Sequence, residues 1–213
     1  MLYVDCQYHK KHKTIEVETE IGMMTVYDYD SYKDTPGYCT GQDDVSRTLQ
    51  LYGHWENDET VLFKDILKKG GKGWVIDIGC HLGWFSKIAR NYDFPVLAYD
   101  GNKENVDIFG LNVKGAKCVY KFFKDDEKIV EDLPSVEIIK IDIEGAERFA
   151  VSAFENYLSV TKNILMEVTP VFNPHYPELV QKLERAGFKT YFVDGKKFNH
   201  NYDFTQTNLL FKK

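Results

Sequence analysis

The sequence predicts an α/β fold. It reads as a Rossmann-like, mostly parallel sheet with helices on both faces and a late antiparallel strand, plus a small N-terminal β extension. Three observations predict it. From residue 57 onward, short apolar runs alternate with segments of helical periodicity. The run Val75-Ile76-Asp77-Ile78 passes into Gly79-Cys80-His81-Leu82-Gly83, a strand, a glycine loop and the start of a helix. The last two apolar runs, 188–193 and 207–211, are joined by a link without helical pattern, so they pair antiparallel.

Residues 1–45 form the extension or lid, and 46–213 the main domain. In the extension, Thr14 to Thr19 and Met24 to Tyr29 alternate apolar and polar, as half-buried strands do, with Gly22 at a turn between them. The polar stretch from Asp30 to Asp44 contains Pro36-Gly37 and reads as a loop. In the main domain, Asn57-Asp58-Glu59-Thr60 supplies cap residues and early negative charge, and Lys68-Lys69-Gly70-Gly71 a helix stop. Strands follow at 74–78, 96–100, 117–122, 137–143 and 163–168. Helices start at Trp84, after the cap residue Asn102, and beyond Glu144, where Ala146, Phe149, Ala150, Ala153 and Phe154 make an apolar stripe. Pro177 opens a last helix that stops at Gly187.

The chain has 213 residues, is 43% hydrophobic and carries a formal charge of −6. That charge disfavours a polyanionic partner, so no nucleic acid is expected. His9-Lys10-Lys11-His12-Lys13 is the local exception and reads as a solvated turn. No apolar run is long enough to span a bilayer, and the N-terminus lacks the build of a signal peptide, so a cytoplasmic protein without membrane association is expected. Cysteines at 6, 39, 80 and 118 show no C-x-x-C spacing, and the histidines show no ligand spacing. Cys80 reads as a small filler of the glycine loop.

The chemistry concentrates at strand ends. A dinucleotide fingerprint has glycine where the strand ends; here that place is held by Asp77. A carboxylate there repels a pyrophosphate but suits an ammonium and a sulfonium, the charges of S-adenosylmethionine. Gly79 and Gly83 allow close backbone approach. Asp100 ends the next strand about twenty positions after Gly79, the place of an acid that takes ribose hydroxyls. Asp142, Glu144 and Glu167 sit at or just after the ends of two further strands. They can face the cofactor's positive end, act as a general base or hold a divalent metal. Glu147, in a first helical turn, reads as a dipole-compensating acid. His54 is a further candidate base.

Taken together, Val75 to Gly83, Ala98-Tyr99-Asp100 and Lys140-Ile141-Asp142-Ile143-Glu144-Gly145-Ala146-Glu147 resemble the FkbM family of class I S-adenosylmethionine-dependent methyltransferases. The D-x-E-G-x-E element from Asp142 to Glu147 is the most specific part. Leu165 to Pro170 and Asn208 to Phe211 resemble that family's fifth and last strands. The likeness covers roughly 52–213. Cys80-His81 departs from the small residue and Asn usual there, and Asp100 from the frequent Glu. The resemblance implies O-methylation of a hydroxyl on a sugar, glycan or other small-molecule acceptor. In it, Asp77, Gly79, His81, Gly83, Trp84, Asp100, Asn102, Asp125 and Asp142 hold S-adenosylmethionine, with the adenine near Phe123 and Asp125. Asp142, Glu144 and Glu167 are the catalytic acids, with Asp142 positioning the cofactor and Glu144 or Glu167 facing the acceptor. No metal is assigned. The alternatives are a non-catalytic subunit of the same fold and an NAD(P)-linked oxidoreductase. Tyr27, Tyr29, Tyr32 and Tyr38 are strand residues or a stacking surface for a sugar ring.

Overall fold

The computed structural model describes residues 13–28, 43–124 and 127–213. Asp125, Tyr29, Tyr32, Tyr38, Cys6, Cys39 and the histidine–lysine cluster up to His12 lie outside them. The chain divides into two compact units, Met1–Trp55 and Glu56–Lys213.

In the first unit, strands β1 (Thr14–Val17) and β2 (Met24–Tyr27) pair antiparallel, with Thr14 opposite Tyr27. Gly22 at φ 100° makes the expected turn. A helix, α1 (Asp44–Tyr52), follows where the sequence pattern raised none. Its start is set by Asp43, whose side chain accepts from the Ser46 N–H at 3.1 Å. Ser46 Oγ and Gln50 Nε2 then bond the N–H and C=O of Tyr27, so α1 satisfies the backbone of β2. His54 lies in this unit, stacked on Tyr52.

The second unit opens with α2 (Asn57–Lys69). Then come β3 (Trp74–Ile78), α3 (Trp84–Asn91), β4 (Val96–Asp100), α4 (Lys103–Asn112), β5 (Lys117–Tyr120) and β6 (Val136–Ile141). The chain closes with α5 (Glu147–Ala153), β7 (Thr161–Val168), α6 (Tyr176–Arg185), β8 (Lys189–Phe192) and β9 (Thr207–Lys212). The sheet order is β5-β4-β3-β6-β7-β9-β8. All pairings from β5 to β7 are parallel, and β9 runs antiparallel between β7 and β8. Every residue of β4 and β6 is buried, the signature of parallel strands covered on both faces. Ala150, Val151, Leu179, Val180 and Leu183 from α5 and α6 join Ile76, Ile139, Ile164 and Phe211 of the sheet in one core.

One expectation at α2 needs correction. Asn57 is already helical, and the capping position is Glu56, at φ 42° with no side-chain cap bond. Its carboxylate instead extends toward a buried lysine, described below.

This topology positions the site. From β3 the chain winds one way to β4 and β5, then returns to the other side for β6 and β7. The carboxyl ends of β3 and β6 therefore flank the crevice where open α/β sheets bind ligands. The approach of the two loops is tight. Gly79 sits at φ 80°, and a Cβ on it would lie 1.8 Å from the carbonyl oxygen of Asp142. We expect Gly79→Ala to destabilise the chain by at least about 2 kcal/mol, from left-handed strain plus the displaced loop. Chemical denaturation checks this; a variant as stable as the parent would contradict the register of β3 and β6.

Candidate functional site

The glycine loop is built by hydrogen bonds to its neighbours. The N–H groups of Gly79 and Cys80 both donate to the Tyr99 carbonyl on β4, and the Asp142 N–H donates to the Ile78 carbonyl. The loop is thus hung between β4 and the end of β6. The second glycine, Gly83, caps α3 at φ 91°, and a Cβ there would press within 2.6 Å of Val113 and 2.8 Å of Phe109. Both glycines therefore have a packing reason to be glycine.

Gly83 offers α3 no side chain to cap it. Asp77 supplies that cap from the adjacent strand. Its Oδ2 accepts from the Ser86 backbone N–H at 3.1 Å and the Ser86 hydroxyl at 2.6 Å, at the third residue of the helix. Asp77 is 2% exposed. Burial pushes its carboxyl up to about 6, and Ser86 opposes only part of this.

Asp100 is the second loop anchor. Its Oδ2 accepts from the His81 N–H at 2.8 Å, and its Oδ1 from the Asn102 N–H at 2.7 Å and Asn105 Nδ2 at 3.2 Å. His81 sits at φ 49°, a conformation held from the side by this bond. Asn102 caps α4 through Glu104 N–H. Trp84 is buried, its indole N–H donating to Thr60 Oγ1 at 2.9 Å, so it joins α3 to α2. Phe123 packs in the core against Tyr99 and Phe154. Two solvent-reaching rings lie near Asp100: Tyr120, its partner on β5 and 59% exposed, and Phe122, 52% exposed and set against Gly101.

Two of the three catalytic acids expected from sequence, Asp142 and Glu167, gather near a buried lysine. Lys140 lies in the fully buried β6, its Nζ 2.9 Å from Asp142 Oδ2 and 3.7 Å from Glu56 Oε2, over the Phe85 ring at 5.1 Å. Carboxylate oxygens of Glu56, Asp142 and Glu167 lie within 4.8 Å of one another. Two of these acids, Asp142 and Glu56, pair with the Lys140 ammonium. Burial opposes the charge on Lys140, but Asp142 and Glu56 outweigh it and hold the amine protonated. Burial likewise works against Asp142, yet Lys140 and a hydrogen bond from Glu167 keep its carboxyl below the ordinary range. Burial, then the Asp142 charge, pushes Glu167 up to about 8, so it carries the proton it shares with Asp142. Gln206 Nε2 and Thr169 Oγ1 also donate to Glu167. Burial raises Glu56 to about 7, with Lys140 opposing. Its Oε2 is buried and accepts no hydrogen bond.

Glu144 stands apart, exposed at φ 51°, its carboxyl raised by partial burial and by Asp142. Glu147 does structural work as expected: its oxygens accept from the Gly145 N–H and Asn173 Nδ2, both at 2.8 Å. Sequence reasoning gave no role to Lys140 or Glu56. Lys140 had a signal, a charge between Ile139 and Ile141 in a buried strand. Glu56 had none.

No protein-family model matches the chain, and no curated protein sequence does. Solved structures do. A TehB-like S-adenosylmethionine-dependent methyltransferase from Corynebacterium glutamicum is 17% identical, with 80% of this chain and 95% of that one covered and a TM-score of 0.59. A provisionally assigned S-adenosylmethionine-dependent methyltransferase from Listeria monocytogenes is 13% identical over 74% and 97% of the two chains, TM-score 0.54. Precorrin-6y C5,15-methyltransferase from Geobacter metallireducens is 15% identical over 72% and 87%, TM-score 0.50. The chain has the Rossmann-like fold these methyltransferases share. Among the described residues, no helix is long and apolar enough to cross a membrane.

The raised carboxyls make stability depend on pH. Asp77, Glu56 and Glu167 bind protons more tightly folded than unfolded. Their contribution is complete below about pH 4 and is lost as pH rises through about 6, 7 and 8. We expect unfolding free energy to fall from about pH 5 to pH 8, each group adding at most about 1.4 kcal/mol per pH unit. Glu167→Gln should flatten the upper part of that slope. Stability that rises across this range in denaturation titrations would contradict the protonation pattern.

Proposed function

We propose that the chain is an S-adenosylmethionine-dependent methyltransferase acting on a hydroxyl of a sugar, glycan or other small-molecule acceptor. One observation carries the proposal. The glycine loop, a buried acid at the end of β4 and a cluster of carboxylates converge on the crevice between β3 and β6. The D-x-E-G-x-E element from Asp142 to Glu147 supports the finer placement in the FkbM family.

The residues fit such a cofactor. Asp100 is fixed by three donors to two oxygens, and a carboxylate has about four acceptor sites, so it can still take a ribose hydroxyl. Phe122 offers a ring beside it for the adenine. The ionised Asp142, with Glu56 close to it, favours a positive charge at the other end. When bound, the cofactor supplies a methyl carbon made electrophilic by its sulfonium. The chain's part is alignment and proton handling. Asp142 stays ionised as the fixed negative charge, with Lys140 and Glu167 holding it in place. Glu56, raised to about 7, would accept the proton of the acceptor hydroxyl, since a base works best with a pKa near the working pH. Glu144, exposed two residues after Asp142, would orient the acceptor. A ring of carboxylates disfavours anionic acceptors and suits neutral polyols.

Calorimetric titration with S-adenosylhomocysteine, with NADH as control, tests the class. Micromolar binding of the first alone is expected. Binding of NADH would favour an oxidoreductase, and binding of neither a non-catalytic subunit. Asp100→Ala should weaken S-adenosylhomocysteine about 10- to 100-fold, or about 1.4–2.7 kcal/mol. A second outcome concerns Glu56. A sulfonium placed near it lowers its pKa, so at about pH 7 S-adenosylmethionine should release a fraction of a proton that uncharged S-adenosylhomocysteine does not. Titrations in buffers of different ionisation enthalpy read this difference. It should vanish in Glu56→Gln; a difference that persists there removes Glu56 from the base role.

A further inference from the structure

The two cysteines among the described residues form a close pair. Cys80, in the glycine loop, has its Sγ 3.5 Å from the Sγ of Cys118 on β5. Both backbones are anchored to β4. The Cys80 N–H donates to the Tyr99 carbonyl, and Cys118 is paired with Ala98, the preceding residue. The sheet itself therefore sets their proximity. The two differ in access. Cys80 is buried at 5% exposure, whereas Cys118 is half-buried on the edge strand. A disulfide needs a sulfur separation of about 2.05 Å, a short closure for two side chains already in contact.

We propose that Cys80 and Cys118 are a redox-sensitive pair that a peroxide converts to a disulfide, locking the glycine loop to β5. The steps balance. Cys118, as its thiolate, attacks a peroxide oxygen: an S–O bond forms, the O–O bond breaks, and the departing hydroxide takes a proton to leave as water. The Cys80 sulfur then attacks the Cys118 sulfenic acid: the S–S bond forms, the S–O bond breaks, and the hydroxyl leaves with the Cys80 proton as a second water. Two thiols and one hydrogen peroxide give one disulfide and two waters. The order follows from exposure: Cys118 meets the oxidant first, and buried Cys80 resolves it. Burial also pushes the Cys80 thiol up, which leaves the more accessible Cys118 to meet the oxidant first, and Cys80 gives up its proton only as it attacks the neighbouring sulfenic acid.

The consequence for the loop follows from its bonds. Drawing Cys80 toward β5 displaces the adjoining His81, whose N–H is held by Asp100. On the methyltransferase reading, closure weakens S-adenosylhomocysteine binding at least about tenfold.

The test treats the full chain with stoichiometric hydrogen peroxide, alkylates free thiols under denaturing conditions and maps peptides by mass spectrometry without reduction. A Cys80–Cys118 cross-linked peptide, reversed by dithiothreitol and absent from Cys118→Ser, is the expected result. Both cysteines recovered alkylated, Cys118 recovered only as sulfinic acid, or a cross-link to Cys6 or Cys39 instead would each overturn the pairing. The wild-type map alone decides this even if the variant fails to fold. Titration of oxidised and reduced protein with S-adenosylhomocysteine then separates the two ideas. Equal binding in both states overturns the loop-locking claim. Binding in neither state counts against the cofactor reading and leaves the disulfide result standing.

Discussion

A protonated amine sits near the middle of this sheet with almost no access to water. Lys140 occupies β6 between apolar residues, and an unpaired charge there would cost several kcal/mol. Asp142 and Glu56 offset that cost, and much of the site follows from their doing so. Asp142 remains ionised in a place where burial would neutralise it. Glu167, crowded by that charge, keeps its proton and donates it to Asp142. Glu56 turns inward from the left-handed position that starts α2, so one buried charge fixes the beginning of α2 and the carboxyl ends of β6 and β7. Truncating Lys140 would leave three acids facing each other without a cation.

The carboxylates on the other side of the crevice are preorganised differently. Asp77 and Asp100 answer backbone N–H groups rather than a cation. One caps α3 through Ser86, and the other clamps His81 and the start of α4. Side chains locked by their own hydrogen bonds can meet a ligand with little reorganisation. The same fact explains why four strand-end acids coexist at one edge: each has a partner inside the fold.

Much of this was legible in the sequence, for identifiable reasons. Period-two alternation marked the β1–β2 hairpin, and buried apolar runs marked the parallel strands. Asn102, Pro177 and Gly187 punctuated helices through local backbone chemistry that operates wherever they occur. Asp77, Asp100, Asp142 and Glu167 were visible because acids at the ends of apolar strands are hard to explain otherwise. Other features depend on contacts between distant segments. Glu56 meets Lys140 only after the sheet assembles. Asp77 finds Ser86 because Gly83 leaves α3 uncapped. Phe123 and Phe122 have identical side chains, and only the end of β5 decides which is core and which is exposed. Helix α1 was missed because its signals, Asp43 and the Ser46–Tyr27 bond, serve the edge of β2 rather than an apolar stripe.

The central claim is that the crevice between β3 and β6 is a nucleoside-sulfonium site. A crystal structure of the protein grown with S-adenosylhomocysteine tests it most directly. The account predicts a ribose hydroxyl on Asp100, the methionine end along Gly79 to Gly83, and the sulfur facing Glu56 and Asp142. Ligand seated away from this crevice, or an unliganded crevice at saturating S-adenosylhomocysteine, would contradict it.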